Sequence, residues 1–247
     1  MSSNVQLMTR LITTISFSIL SFLLVAQKNQ TDIFDLMNDF LIKEVNAGKV
    51  NYQGLKENPE QLNILMASIE LADLTDKDKN YKMAFYLNAY NLTVIKQVVS
   101  NYPISSPFDI DGFFKKNKFK IAGDLLTLDE LEFEKIMNPY RDSRVHFALG
   151  CAALSCPFLY DNAFRPEHVE EQLEFRAQLI IDRPDYVTVD KKKKIVTLNK
   201  IFEWYGDQFS YNAGSLINFI NKYRFYKVPN DYQIQFYEYN WTLNERK

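Results

Sequence analysis

The sequence predicts a helix-rich α+β fold: a single domain with a small, mainly antiparallel sheet. Three observations predict it. Long segments repeat apolar residues at three- and four-residue spacing, the period of a half-buried helix. Near the C-terminus two short runs rich in β-branched residues flank a charged turn, which is the pattern of a hairpin. Between these, no internal repeat, low-complexity stretch or composition break calls for a second domain. The 247 residues are 47% hydrophobic and hold 34 Phe and Tyr against 7 Gly, enough apolar and aromatic mass for a sizeable core. A formal charge of −2 gives no footprint for nucleic acid, which requires a clustered basic surface.

The N-terminus reads as an address. Arg10 is the only charge before Lys28, and the weakly polar to apolar run Leu11 to Ala26 follows it. At about 16 residues that run is shorter than the ~20 a membrane-crossing helix needs, and Leu24-Val25-Ala26 offers a cleavage point. Residues 1–26 are therefore expected to be a signal peptide and residues 27–247 the single domain. No transmembrane segment is expected after the leader is removed. Export, periplasmic or extracellular, is the expected localisation, with an uncleaved N-terminal anchor as the alternative.

Asp32 caps an expected helix to about Glu44, with Phe34, Met37, Phe40 and Leu41 on its apolar face, and Gly48 ends it. Val50-Asn51-Tyr52 reads as a short extended piece, and Pro59 to about Leu71 as a second helix. A third, from about Asp76 to Ser100, carries the stripe Met83, Leu87, Tyr90, Val94, Val98 and is stopped by Pro103. Asn91 falls in that stripe and Asn88 beside it. A buried carboxamide is costly unless its donors and acceptors are met, so each is either a structural clamp or, for a catalytic imidazole, the group that orients it.

Lys118 to Ala122 reads as a short strand, and Thr127 with Glu130 forms a capping box at the start of another helix. Glu132 borders that helix's apolar face; if buried it needs a partner, for which Arg144 is the obvious cation. Val145 to Leu149 has strand character, which would place Arg144 and His146 on one face. Pro166 to Ile181 reads as a helix with His168 at the surface. Tyr186 to Asp190 and Ile195 to Leu198 form the hairpin around Lys191 to Lys194, and Asn199 caps a helix bearing Ile201, Phe202, Tyr205 and Phe209. Trp204 and its aromatic neighbours read as core, and Tyr232 to Leu243 as a closing strand.

The densest chemistry lies between Arg144 and Pro157, which hold both cysteines and one of the two histidines. Four uses compete. His146, Cys151 and Cys156 lack the paired CxxC spacing of structural zinc, and no metal or cofactor is expected. A Cys151 to Cys156 disulfide is sterically open only in a loop, since residues five apart in a helix diverge. The cysteines can be small buried hydrophobes. Finally, Cys151 can be a nucleophile, provided a sharp turn at Gly150 brings it back toward His146 and seats it near amide donors.

The segments Tyr86-Leu-Asn-Ala-Tyr-Asn91, Leu128-Asp-Glu-Leu-Glu132, Arg144-Val-His-Phe-Ala-Leu-Gly-Cys151, Ser155-Cys-Pro157 and Tyr239-Asn-Trp-Thr-Leu-Asn244, in that order, resemble the domain-of-unknown-function family 547 over about residues 50–244. The resemblance implies no activity. It places the family motif on Asn88, Asn91, Glu132, Arg144, His146, Cys151 and Cys156. Its pattern admits serine for the second cysteine, which favours Cys151 as the nucleophile and weighs against an obligatory disulfide. Where many relatives read Glu-His, this chain has Glu132-Phe133.

The expected site follows from this clustering. Cys151 attacks, His146 serves as base or acid, Asn91 or Glu132 orients the ring, and Arg144 with Asn88 contacts substrate, in a cysteine-dependent hydrolase or acyl transferase. The alternative is a non-catalytic envelope protein whose polar cluster supports the core or binds a small ligand or partner. The sequence names no partner.

Overall fold

A computed structural model describes residues 32–247. The signal peptide expected over residues 1–26 lies outside the described residues. None of the described helices is long and apolar enough to cross a membrane.

The Asp32 carboxylate accepts from the Phe34 amide and starts α1, Ile33–Glu44, which buries the predicted Phe34, Met37, Phe40 and Leu41. β1 (Val45–Asn46) and β2 (Lys49–Val50) then form a minimal antiparallel ladder. Gly48 turns between them at φ 78°, where a Cβ would strike Phe158. Tyr52 does not continue the extended piece. The Asn51 side chain accepts from the Gly54 amide, and this cap starts α2, Tyr52–Glu57. After α3, Glu60–Glu70, comes α4, Lys79–Asn101, which buries all five members of the predicted stripe and both asparagines.

β3 (Phe119–Ile121) and β4 (Asp124–Leu126) pair antiparallel. The capping box of Thr127 and Glu130 is present and opens α5, Leu128–Glu130. At Leu131 the helix widens into a π-helical stretch, Leu131–Met137, before the short α6, Asn138–Tyr140. The widening decides the fate of Glu132. Five-residue spacing puts Leu131 with Ile136 and Glu132 with Met137, and all four are buried. An α-helical reading leaves Glu132 only at the border.

The strand expected over Val145 to Leu149 is not formed. Asp142 caps the Arg144 amide, and Ser143–Phe147 winds as a 3₁₀ turn in which Val145, His146 and Phe147 are all buried. The reason is tertiary. Val145 enters one hydrophobic core, built on α1 to α4, while Phe147 enters a second, so no solvent face exists for an alternating pattern. Removing a fully buried ring such as Phe147 costs about 3–5 kcal/mol.

α7, Val169–Ile181, spans both cores, with Leu173 in the first and Ala177 and Ile180 in the second. The predicted hairpin is β5 (Val187–Asp190) against β6 (Ile195–Leu198). α8 (Ile201–Trp204), α9 (Gly206–Ser210) and α10 (Leu216–Tyr223) then pack Phe202, Phe209 and Ile220 into the second core. β7, Gln233–Phe236, adds to β6 in parallel, so the closing strand is shorter than expected and the mainly antiparallel sheets include one parallel pair. Residues 240–244 continue as a clasp of single bridges and loop hydrogen bonds.

Candidate functional site

Cys151 lies in a loop that two elements hold in place. From α4, Asn91 donates to the Ala148 carbonyl at 2.9 Å and accepts from the Gly150 amide at 2.8 Å. On the C-terminal side, the Asn244 amide donates to the Ala152 carbonyl, and the Thr242 and Asn240 carbonyls accept from the Leu154 and Ser155 amides respectively. Between these anchors Ala152 takes φ 61°. A left-handed non-glycine residue is strained and persists only where its surroundings over-determine it. The sharp turn expected at Gly150 is therefore made two residues later. Asn88 does related work nearby, donating to Ala84 and Phe164 carbonyls and accepting from the Phe164 amide. Both asparagines are main-chain clamps. Neither is bonded to the imidazole, and neither lines the cavity described below.

The two cysteines are free. The Cys151 amide donates to the Cys156 sulfur at 2.8 Å, the Cys156 thiol points at the Leu149 carbonyl at 3.7 Å, and the Tyr239 hydroxyl is 3.2 Å from the Cys151 sulfur. Burial pushes the Cys151 thiol up, but its polar surroundings, Cys156, Tyr239 and the Ala153 backbone, outweigh it and hold the group below its ordinary value. Cys156 is pushed well up by burial and by the neighbouring sulfur. One thiol is therefore readied for ionisation and the other keeps its proton.

A second set of groups faces Cys151 across the same cavity. The Tyr205 hydroxyl donates to one Glu132 oxygen at 3.0 Å, and Tyr90 reaches the other at 3.5 Å. Burial raises Glu132 to about 7, against the lowering effect of the two tyrosines. His146 stacks on the Tyr205 ring with centroids 3.8 Å apart. Its Nε2 bonds Gln208 Oε1 at 2.8 Å, so Nε2 carries the proton and Nδ1 turns its lone pair toward Glu132, 3.9 Å away. Burial lowers His146 to about 4, so the ring is neutral at pH 7. No hydrogen bond joins the ring to the Cys151 sulfur.

Arg144 lies elsewhere. Its guanidinium is bonded to Asp142, Glu170 and Glu174, which hold it charged. It is not the partner of Glu132, and it faces a separate polar cleft with Lys222 and Asn218. The expectation fails because it shares a face with His146 only in a strand; the 3₁₀ turn rotates the two apart.

The groups that do meet line one cavity of about 390 Å³: Tyr90, Glu132, His146, Cys151, Cys156, Tyr205 and Tyr239 in its wall, with Phe108, Trp204 and Trp241 at its aromatic side. Trp204 is 46% exposed, which corrects its assignment to the core. It stacks with Trp241 at 5.7 Å, and Trp241 in turn packs on Phe108 at 4.3 Å. Tyr205, Gln208 and Tyr239 escape sequence reasoning because they lie far along the chain from residues 144–157. The signal for Tyr239 was its place at the head of the C-terminal segment that carries the family resemblance. Among the described residues, no three His, Cys, Asp or Glu side chains are grouped to hold a metal ion.

Residues 74–179 match the family described as Protein of unknown function, DUF547. The match holds Glu132, His146 and both cysteines but ends before Trp204, Tyr205, Gln208 and Tyr239. No curated protein and no solved structure matches the chain.

Proposed function

We propose, for a chain with a DUF547 match over residues 74–179, a thiol-dependent hydrolase or acyl transferase with Cys151 as nucleophile. The observation that carries this reading is the half-buried Cys151 thiol, bonded by Tyr239 and facing the same cavity as a carboxyl that titrates near neutrality. The thiolate would attack an amide, ester or thioester carbonyl, forming a C–S bond as the carbonyl π pair moves to oxygen. Collapse of that intermediate expels the leaving group, which takes a proton from Glu132. Water or a second acceptor then releases the acyl group, with Glu132 as the base. A carboxyl near 7 suits both transfers. Tyr205 and Tyr90 position Glu132, and His146, neutral and anchored by Gln208, does not deprotonate the thiol. The reading includes export, which the run Leu11 to Ala26 supports.

Iodoacetamide mapping on the native protein tests it. Cys151 is expected to label, with a midpoint below that of an ordinary thiol, while Cys156 stays silent until unfolding. Cys151 that labels only after unfolding would overturn the proposal. The missing hydrogen bond between the His146 ring and the thiol favours the second reading, a ligand-binding protein without catalysis. That reading predicts retained cavity binding with an unreactive Cys151.

A further inference from the structure

We propose that Cys156 is the resolving thiol of Cys151, and that a hydroperoxide entering the cavity converts the pair to a reversible intramolecular disulfide. The geometry comes first. The Cys156 sulfur rests 2.8 Å from the Cys151 amide, so it already touches the residue it would bond. The intervening chain is a loop and not a helix, with the Cys156 amide turned back on the Ala153 carbonyl at 3.2 Å. That removes the divergence that prevents residues five apart from pairing in a helix. On this proposal, rotation of the Cys151 side chain about its Cα–Cβ bond brings its sulfur toward the ~2.05 Å of a disulfide.

Access to the two sulfurs is unequal. Cys151 is half-buried at the cavity, whereas Cys156 is 8% exposed, so an oxidant meets Cys151 first. The Cys151 thiolate attacks one peroxide oxygen; an S–O bond forms, the O–O bond breaks, and the departing oxide takes a proton to leave as water or an alcohol. The sulfur is oxidised by two electrons to a sulfenic acid and the peroxide is reduced. The Cys156 sulfur then attacks the Cys151 sulfur, expelling hydroxide, which takes the Cys156 proton and leaves as water. A buried neighbour that is first to reach the sulfenic acid spares it from over-oxidation.

The inference does not depend on acyl transfer, and its test does not measure catalysis. The reduced full chain is treated with hydrogen peroxide and its intact mass is read before and after dithiothreitol. The wild type is expected to lose about 2 Da, form no intermolecular disulfide and recover fully, with a cross-linked 151–156 peptide on digestion. C156S keeps an acceptor for the Cys151 amide and a donor for the Leu149 carbonyl, so it preserves the loop but cannot resolve. It is expected to gain about 16 and then 32 Da, with recoverable Cys151 reduced at least about fivefold. Wild-type protein that over-oxidises Cys151 at the C156S rate, with Cys156 still alkylatable, would overturn the proposal. So would wild-type protein that forms only intermolecular dimers. The cross-linked peptide needs no variant, so the proposal stays testable if C156S folds poorly.

Discussion

The two sides of one cavity hold ionisable groups away from solvent and reach opposite results. On one side the polar surroundings of Cys151, Cys156 with Tyr239 and the Ala153 backbone, bring its thiol below the ordinary value despite burial. On the other, the tyrosines at Glu132 and the Gln208 acceptor at His146 are too few to offset desolvation, and both groups are driven toward neutrality, Glu132 to about 7 and His146 to about 4. Burial alone therefore does not fix charge in this site. The hydrogen-bonding groups aimed at the ionised form also decide it, donors for a thiolate or carboxylate and acceptors for an imidazolium.

The sharpest way to break this comparison is to remove one member of the neutral side and follow stability against pH. Glu132 is raised from 4.5 to about 7, so its contribution is greatest below pH 4.5 and is lost as pH rises through 7. His146 is lowered from 6.5 to about 4, so its contribution is full above pH 6.5 and is lost as pH falls through 4. In the wild type the two slopes cancel between pH 4.5 and 6.5. E132Q is expected to leave only the acid-side loss and H146Q only the alkaline-side loss, each about 3 kcal/mol across its window, as read by urea unfolding. Flat profiles for both variants would refute the assigned burial effects.

Next in size is the clamp beneath the thiol side. N91A leaves the Ala148 carbonyl and the Gly150 amide without their partner and should cost about 2 kcal/mol in the same assay. A loss well under 1 kcal/mol would mean that water or a neighbour replaces the amide. Y239F removes one donor from the sulfur, and the native alkylation rate of Cys151 at pH 7 is expected to fall about threefold to tenfold with little change in melting temperature. An unchanged rate would remove Tyr239 from the account of the thiolate. R144Q should have the smallest effect. Its ion pairs are partly exposed, so a stability loss of about 1 kcal/mol or less is expected, with Cys151 alkylation unaltered.

Legibility in the sequence divides along the same line as local and distant contacts. The stripe of α4, the caps at Asp32 and Thr127 and the β5–β6 hairpin each depend on residues within a few positions, and each is present. Glu132 is recognisable as an unusual acid because it borders an apolar face, but its partner is not, since Tyr205 is 73 residues away. Val145 to Phe147 reads as a strand because all-round burial between two cores leaves no periodicity from which to detect a turn.

By itself the sequence determined the fold class, most helix boundaries, and the crowding of one imidazole and two thiols into a short segment. These follow from local spacing, capping and composition. Only the tertiary structure decided which of those groups face one another: Asn91 and Asn88 are tied to the backbone, Arg144 is turned away, and Tyr205, Gln208 and Tyr239 are brought in from the C-terminal part of the chain. The physical reason is that desolvation and hydrogen-bond geometry act through space, so the protonation of Cys151, Glu132 and His146 belongs to the assembled cavity.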